Sequence, residues 1–156
     1  MLLNFKIDFS YDFLVLWSIQ ENCSNYNVLN GHKSAVLEVK WKSPDSIVSC
    51  SADKTVAVWD TNKGIRVRKF TGHTSIVNSI AIAKDDTNIV ASASDDCTVI
   101  VWDIRSKLPV CSVYHEYQVC SVELSHDGSQ VFSGGVDNIV RYNTYFQNYI
   151  HKINLF

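Results

Sequence analysis

The chain has 156 residues, a hydrophobic fraction of 46%, a charged fraction of 19% and a formal net charge of −2. That is one domain's worth of ordinary globular composition, and its slightly acidic balance excludes a broad basic surface for direct nucleic-acid binding. The longest apolar run near the N-terminus, Phe13–Trp17, is five residues against about 18 for a membrane span, so no membrane partner is expected.

In chain order, residues 1–10 carry no motif. Residues 11–29 read as the end of a repeated unit whose start is missing: Asp12 stands five residues before Trp17, a polar loop follows, and Tyr26–Leu29 leads as a short strand into Gly31-His32. Residues 30–70 form the first complete unit, with strands expected at Ala35–Trp41, Ser46–Ser51, Thr55–Asp60 and Ile65–Phe70. Ser43-Pro44-Asp45 and Asn62-Lys63-Gly64 supply turns. Residues 71–113 repeat the plan, with strands at Ile76–Ala83, Asn88–Ser92, Thr98–Ile104 and Leu108–Tyr114. Residues 114–143 are a degenerate copy with strands at Gln118–Leu124 and Gln130–Gly134. Residues 144–156 carry no repeat signature.

The recurrence is the main signal. Ser-Ala-Asp-Lys-Thr-Val-Ala-Val-Trp-Asp at Ser51–Asp60 returns forty-three residues later at Ser94–Asp103, and Gly31-His32 returns forty-one residues later as Gly72-His73. The Thr-Val-Ala-Val-Trp and Thr-Val-Ile-Val-Trp runs are nearly continuous apolar stretches, which suits strands covered on both faces.

A buried hydrogen-bond chain explains why these residues recur together. An indole N–H only donates, a hydroxyl can accept it, and histidine can link that hydroxyl to a carboxylate. The sets are Trp59, Ser49, His32 and Asp53; then Trp102, Ser92, His73 and Asp96; then Ser133, His115 and Asp137 without a tryptophan. Each serine lies four residues before its aspartate; Ser51 and Ser94 are alternatives in the first two sets. The glycine before each histidine is expected to turn the backbone through a positive angle, which Tyr114 in the third unit adopts only at a cost. Six residues on from Asp137 stands Asn143, where the complete units have tryptophan.

The same Ser-His-Asp grouping is also the pattern of a hydrolase. Repetition argues against that reading, since an enzyme needs one such constellation, and no Gly-x-Ser-x-Gly elbow accompanies any copy. No catalytic, cofactor-binding or metal-binding residues are expected. The five cysteines, Cys23, Cys50, Cys97, Cys111 and Cys120, contain no Cys-x-x-Cys pair. Three of them, Cys50, Cys111 and Cys120, fall in expected strands as small apolar fillers, and a reducing intracellular compartment suits them. Lys63, Arg66, Arg68 and Lys69 form a small basic cluster that reads more naturally as a solvated strand edge than as a nucleic-acid contact.

A period near forty, opened by Gly-His and closed by Trp-Asp, resembles the WD40 repeat family. The residues between, including Asn25–His32, Gly72–Ser79, Tyr117-Gln-Val and Ser133–Asn138, resemble more particularly the WD-repeat subunits of the spliceosomal U5 small nuclear ribonucleoprotein. The resemblance implies an all-β fold: an incomplete WD40 β-propeller with two full four-stranded blades, a degraded third and part of another, where a full-length relative is seven-bladed. It implies a non-catalytic, nuclear scaffold for pre-mRNA splicing, with other proteins of that particle as partners. A generic adaptor, such as a ubiquitin-ligase substrate receptor, is the alternative. Open blade edges would also permit self-association. Propellers close with typically 4–8 blades, so a truncated or mis-joined version of a longer protein is expected, its Asn-, Phe-, Ile-, Lys- and Tyr-rich ends coming from read-through of AT-rich sequence.

Overall fold

The computed structural model describes residues 5–10, 13–18, 24–144 and 150–154, apart from the side chains of 5–10, 17–18, 24–26 and 150–154. Asp12, the loop 19–23 with Cys23, and the tail residues 145–149 and 155–156 lie outside them, and so does the reading of the Asp12–Trp17 offset.

Among the described residues there are fifteen strands in four antiparallel sheets, each running in sequence order. The first sheet holds β1 (Phe5–Ser10), β2 (Phe13–Ser18) and β3 (Ser24–Asn30). The second holds β4 (Val36–Ser43), β5 (Ser46–Ser51), β6 (Thr55–Asp60) and β7 (Ile65–Thr71). The third holds β8 (Val77–Ile82), β9 (Ile89–Ser94), β10 (Thr98–Asp103) and β11 (Pro109–Tyr114). The fourth holds β12 (Val119–Leu124), β13 (Gln130–Gly135), β14 (Ile139–Thr144) and β15 (Ile150–Asn154).

The apolar runs explain the stacking. Side chains of a strand alternate between faces, so a run buried on both sides feeds two interfaces. On β5 and β6, Ile47, Ala57 and Trp59 pack against Leu14, Leu16 and Leu29 of the first sheet. Val48, Cys50, Val56 and Val58, with Phe70, pack the other way onto Val90, Ile100 and Trp102 of the third. The third sheet repeats the device with smaller residues: Ala91, Ala93, Val99 and Val101 meet Val122, Leu124 and Val131 of the fourth.

Polar contacts bend the stack. Glu38 on β4 accepts the Ile80 N–H of β8 at 2.6 Å. Lys40 on β4 lies 3.1 Å from the Glu123 carboxylate on β12, spanning the third sheet. The first strands therefore converge while the last strands face outward, leaving Ile65, Val67, Leu108 and Val110 each more than half exposed. This is an arc of a β-propeller, with each sheet a blade.

Two segments without a repeat signature supply strands. β1 pairs with β2 from Phe5↔Ser18 to Ser10↔Phe13, and β15 pairs with β14 from Ile139↔Asn154 to Asn143↔Ile150, giving the third unit a fourth strand. Backbone pairing needs extended chain and register, not the Trp-Asp motif. Cys120 corrects the expectation of an apolar filler: it is exposed, because the ladder slips between Val119 and Ser121 and pushes it out as a bulge. The same slip falls at Leu37 in β4 and Asn78 in β8. Cys50 is fully buried, and burial pushes its thiol up to about 12.

Candidate functional site

In the second blade Asp53 sits in the β5–β6 turn, Ser49 in mid-β5, Trp59 near the end of β6 and His32 in the loop entering β4. The Trp59 indole N–H donates to Ser49 Oγ at 2.8 Å. Ser49 Oγ lies 2.8 Å from His32 Nε2, and His32 Nδ1 lies 3.1 Å from Asp53 Oδ2. Because the indole only donates and the carboxylate only accepts, the donors run from Trp59 through Ser49 to a neutral His32 and on to Asp53. Asp53 also accepts the backbone N–H of Lys33 at 2.9 Å and that of Thr55 at 3.1 Å, and the Thr55 hydroxyl. The loop and the turn are thereby tied together.

The third blade repeats this. Trp102 Nε1 donates to Ser92 Oγ at 2.8 Å, Ser92 Oγ lies 2.8 Å from His73 Nε2, and His73 Nδ1 lies 2.9 Å from Asp96 Oδ2. Asp96 holds the N–H groups of Thr74 and Thr98. Between the two serine candidates, Ser49 and Ser92 touch the indoles. Ser51 and Ser94 accept the N–H of Asp53 and Asp96 instead, shaping the turn. Thr55 and Thr98 are the members that sequence reasoning missed, although both stand two residues after their aspartate.

In the fourth blade the set comes apart. Ser133 Oγ and His115 Nε2 are 3.4 Å apart, and Asp137 is taken by the Arg141 guanidinium. Arg141 stands opposite Ser133, where Ala57 and Ile100 stand opposite Ser49 and Ser92. Asn143 occupies the tryptophan position, buried, and among the described residues neither its amide nitrogen nor its oxygen is hydrogen-bonded.

The glycine expectation is corrected in part. Gly31 has a positive φ of 153°, and Gly72 is not among the positive-φ glycines. What both share is closeness to the indole: a Cβ would come 3.2 Å from the Trp59 ring and 2.8 Å from that of Trp102. Where the tryptophan is lost the constraint goes too, and Tyr114 points outward at 72% exposure.

Ser49 and Ser92 are fully buried, and each Oγ already accepts an indole N–H, so neither oxygen has room for a substrate carbonyl. Three of the four clustered basic residues also have partners within the chain. Lys63 pairs with Asp60 at 3.4 Å. Arg66 lies over the Trp59 ring at 5.9 Å and donates to the Gly31 carbonyl. Arg68 donates to the Arg105 carbonyl at 3.4 Å. Among the described residues no group of three or more His, Cys, Asp or Glu side chains is placed to hold a metal ion.

The networks make stability depend on pH. Burial lowers His32 and His73 below 6.5, outweighing the bonds to Asp53 and Asp96 that raise them. Burial raises Asp53 and Asp96, but the bonds from threonine, backbone N–H and histidine outweigh it and leave both below 3.8. The folded chain then binds fewer protons than the unfolded chain just below 6.5, so the histidine contribution is full above that value and lost as pH falls through it. The aspartate contribution is lost at lower pH, below 3.8. Thermal melts should show a lower Tm at about pH 5.5 than at about pH 7.5; an unchanged or higher value at the acid end contradicts the neutral-histidine assignment.

The model of the WD domain, G-beta repeat, matches residues 23–60, 64–103 and 108–142. The chain belongs to the WD40 repeat family. Among curated proteins it is 36% identical over 129 residues to pre-mRNA-splicing factor cwf17 of Schizosaccharomyces pombe, covering 82% of this chain and 38% of that protein. It is 38% identical over 129 residues to the U5 small nuclear ribonucleoprotein 40 kDa protein of Dictyostelium discoideum, covering 82% of this chain and 36% of the relative. With the human protein of the same name it shares 41% over 124 residues, covering 79% of this chain and 35% of the relative. The chain thus spans less than two fifths of the length of these relatives.

Proposed function

We propose that this chain acts as a non-catalytic protein-interaction scaffold in pre-mRNA splicing, in the nucleus, with proteins of the U5 small nuclear ribonucleoprotein as partners. The observation that carries the reading is the likeness over about four fifths of the chain, at 36% identity to a pre-mRNA-splicing factor and at 38% and 41% to U5 small nuclear ribonucleoprotein 40 kDa proteins. The two intact His–Ser–Trp–Asp sets support the non-catalytic part. On this reading they are clamps that hold loop ends in place, and the loops and rims present the binding surface.

The test is recovery of the particle. The tagged chain, expressed in cells and purified from nuclear extract, should carry U5 small nuclear RNA and its proteins above a tag-only control. RNA recovery equal to the control, or ubiquitin-ligase subunits in its place, overturns the splicing assignment.

A further inference from the structure

A groove of about 300 Å³ opens on the outer rim between the third and fourth blades. It is lined by Ile89, Val101, Val110 and Cys111 and by the acids Asp86 and Asp127. The neighbouring junction shows what such a site accommodates. Val58 and Val101 each precede their blade's tryptophan; Val58 stands opposite Arg68, and Val101 stands opposite Cys111. Cys111 therefore occupies the position of Arg68, whose guanidinium reaches across to the next blade and donates to the Arg105 carbonyl.

The acids are equivalent too. Asp86 accepts the N–H of Asn88 at 3.1 Å in the first turn of its blade, and Asp127 accepts that of Ser129 at 3.1 Å in the same place. Asp86 has a cation, with Arg105 Nη2 at 3.5 Å. Among the described residues Asp127 is held by Ser125 and Ser129, and no cation lies within ion-pair distance of it. Those hydrogen bonds, chiefly from Ser125, keep its carboxyl at about 2, so it is ionised at neutral pH. Among the described residues the junction thus has the apolar lining and the carboxylate but neither of its neighbour's two arginines, Arg68 at the Cys111 position and Arg105 on the acid.

We propose that this groove receives an arginine side chain from a partner polypeptide, its methylene stem on Ile89 and Val110 and its guanidinium on Asp127. An arginine suits the pair of demands because it buries a hydrocarbon stem while keeping a planar charged head at the rim. The inference rests on the interaction-scaffold reading and gives it one contact of defined chemistry.

The test uses the whole chain and needs no splicing particle, so it can fail while the particle test succeeds, and the reverse. The probe is acetyl-Val-Arg-Val-amide, titrated into isotope-labelled protein while backbone amide signals are followed. Saturable shifts confined to Val110, Cys111 and Ser129 are expected. The citrulline version, which keeps the shape and loses the charge, should bind about three- to fivefold more weakly, as loss of a rim ion pair gives. Asp127→Asn should weaken the arginine peptide by a similar factor, and Cys111→Arg, which fills the groove from inside, should abolish the shifts. Equal binding of the arginine and citrulline peptides, or shifts scattered away from the groove, overturns the proposal.

Discussion

Replacing Trp102 by alanine should lower the unfolding free energy by about 3–5 kcal/mol, the usual cost of removing a buried tryptophan. The side chain is 1% exposed and belongs to the core between the second and third blades. Its ring lies 5.2 Å from Phe70 and 6.3 Å from His73. Gly72 packs so close to the ring that a Cβ there would sit 2.8 Å from it, and it has no side chain to move into the vacated space. Domains are stable by about 5–15 kcal/mol in all, so this single change consumes much of the margin. Urea unfolding followed by circular dichroism should show the midpoint falling with little change in slope. Trp102→Phe keeps most of the volume and loses the N–H, and should fall between the two. A loss below about 1 kcal/mol for the alanine variant would mean that the blades close over the cavity, against the tight packing argued for this interface.

What the sequence made legible follows from which features leave a trace in it. The two intact units repeat at spacings of forty-one and forty-three residues, and with them come β5, β6, β9 and β10; the apolar runs of β6 and β10 already imply cover on both faces. β1 and β15 left a fainter mark. Phe5, Ile7 and Phe9 alternate as a strand does, but without a Trp-Asp ending nothing ties six residues to a neighbour. The choice between Ser49 and Ser51 also lies beyond pattern, because residues two apart share a face. Only the register decides it: Ser49 faces Ala57, two residues before Trp59, whereas Ser51 lies at the turn. Arg141 was hidden for a different reason. An arginine on an expected strand reads as solvent-facing, whereas Arg141 is 3% exposed and paired with Asp137.

Ser92→Ala removes one oxygen and should still destabilise the chain by about 2–5 kcal/mol, because two buried groups lose their partner at once. Ser92 Oγ accepts the Trp102 indole N–H and serves His73 Nε2, both at 2.8 Å. The residue is fully buried, and a missing hydroxyl leaves too little space for a water to replace it. Each orphaned polar group costs about 1–3 kcal/mol. Ser133→Ala is the internal control. Ser133 is 2% exposed, so burial is matched, but its bond to His115 is 3.4 Å long, and Asn143 stands where the indole would donate. Its loss should be about 1 kcal/mol or less, the net worth of one ordinary hydrogen bond. Equal losses at the two serines would sink the argument, since they would show that the serine matters for packing rather than as the junction of a network. A large loss at Ser92 alone would locate the stabilisation in the completed chain of donors, which joins a loop, a strand and a turn in the second and third blades.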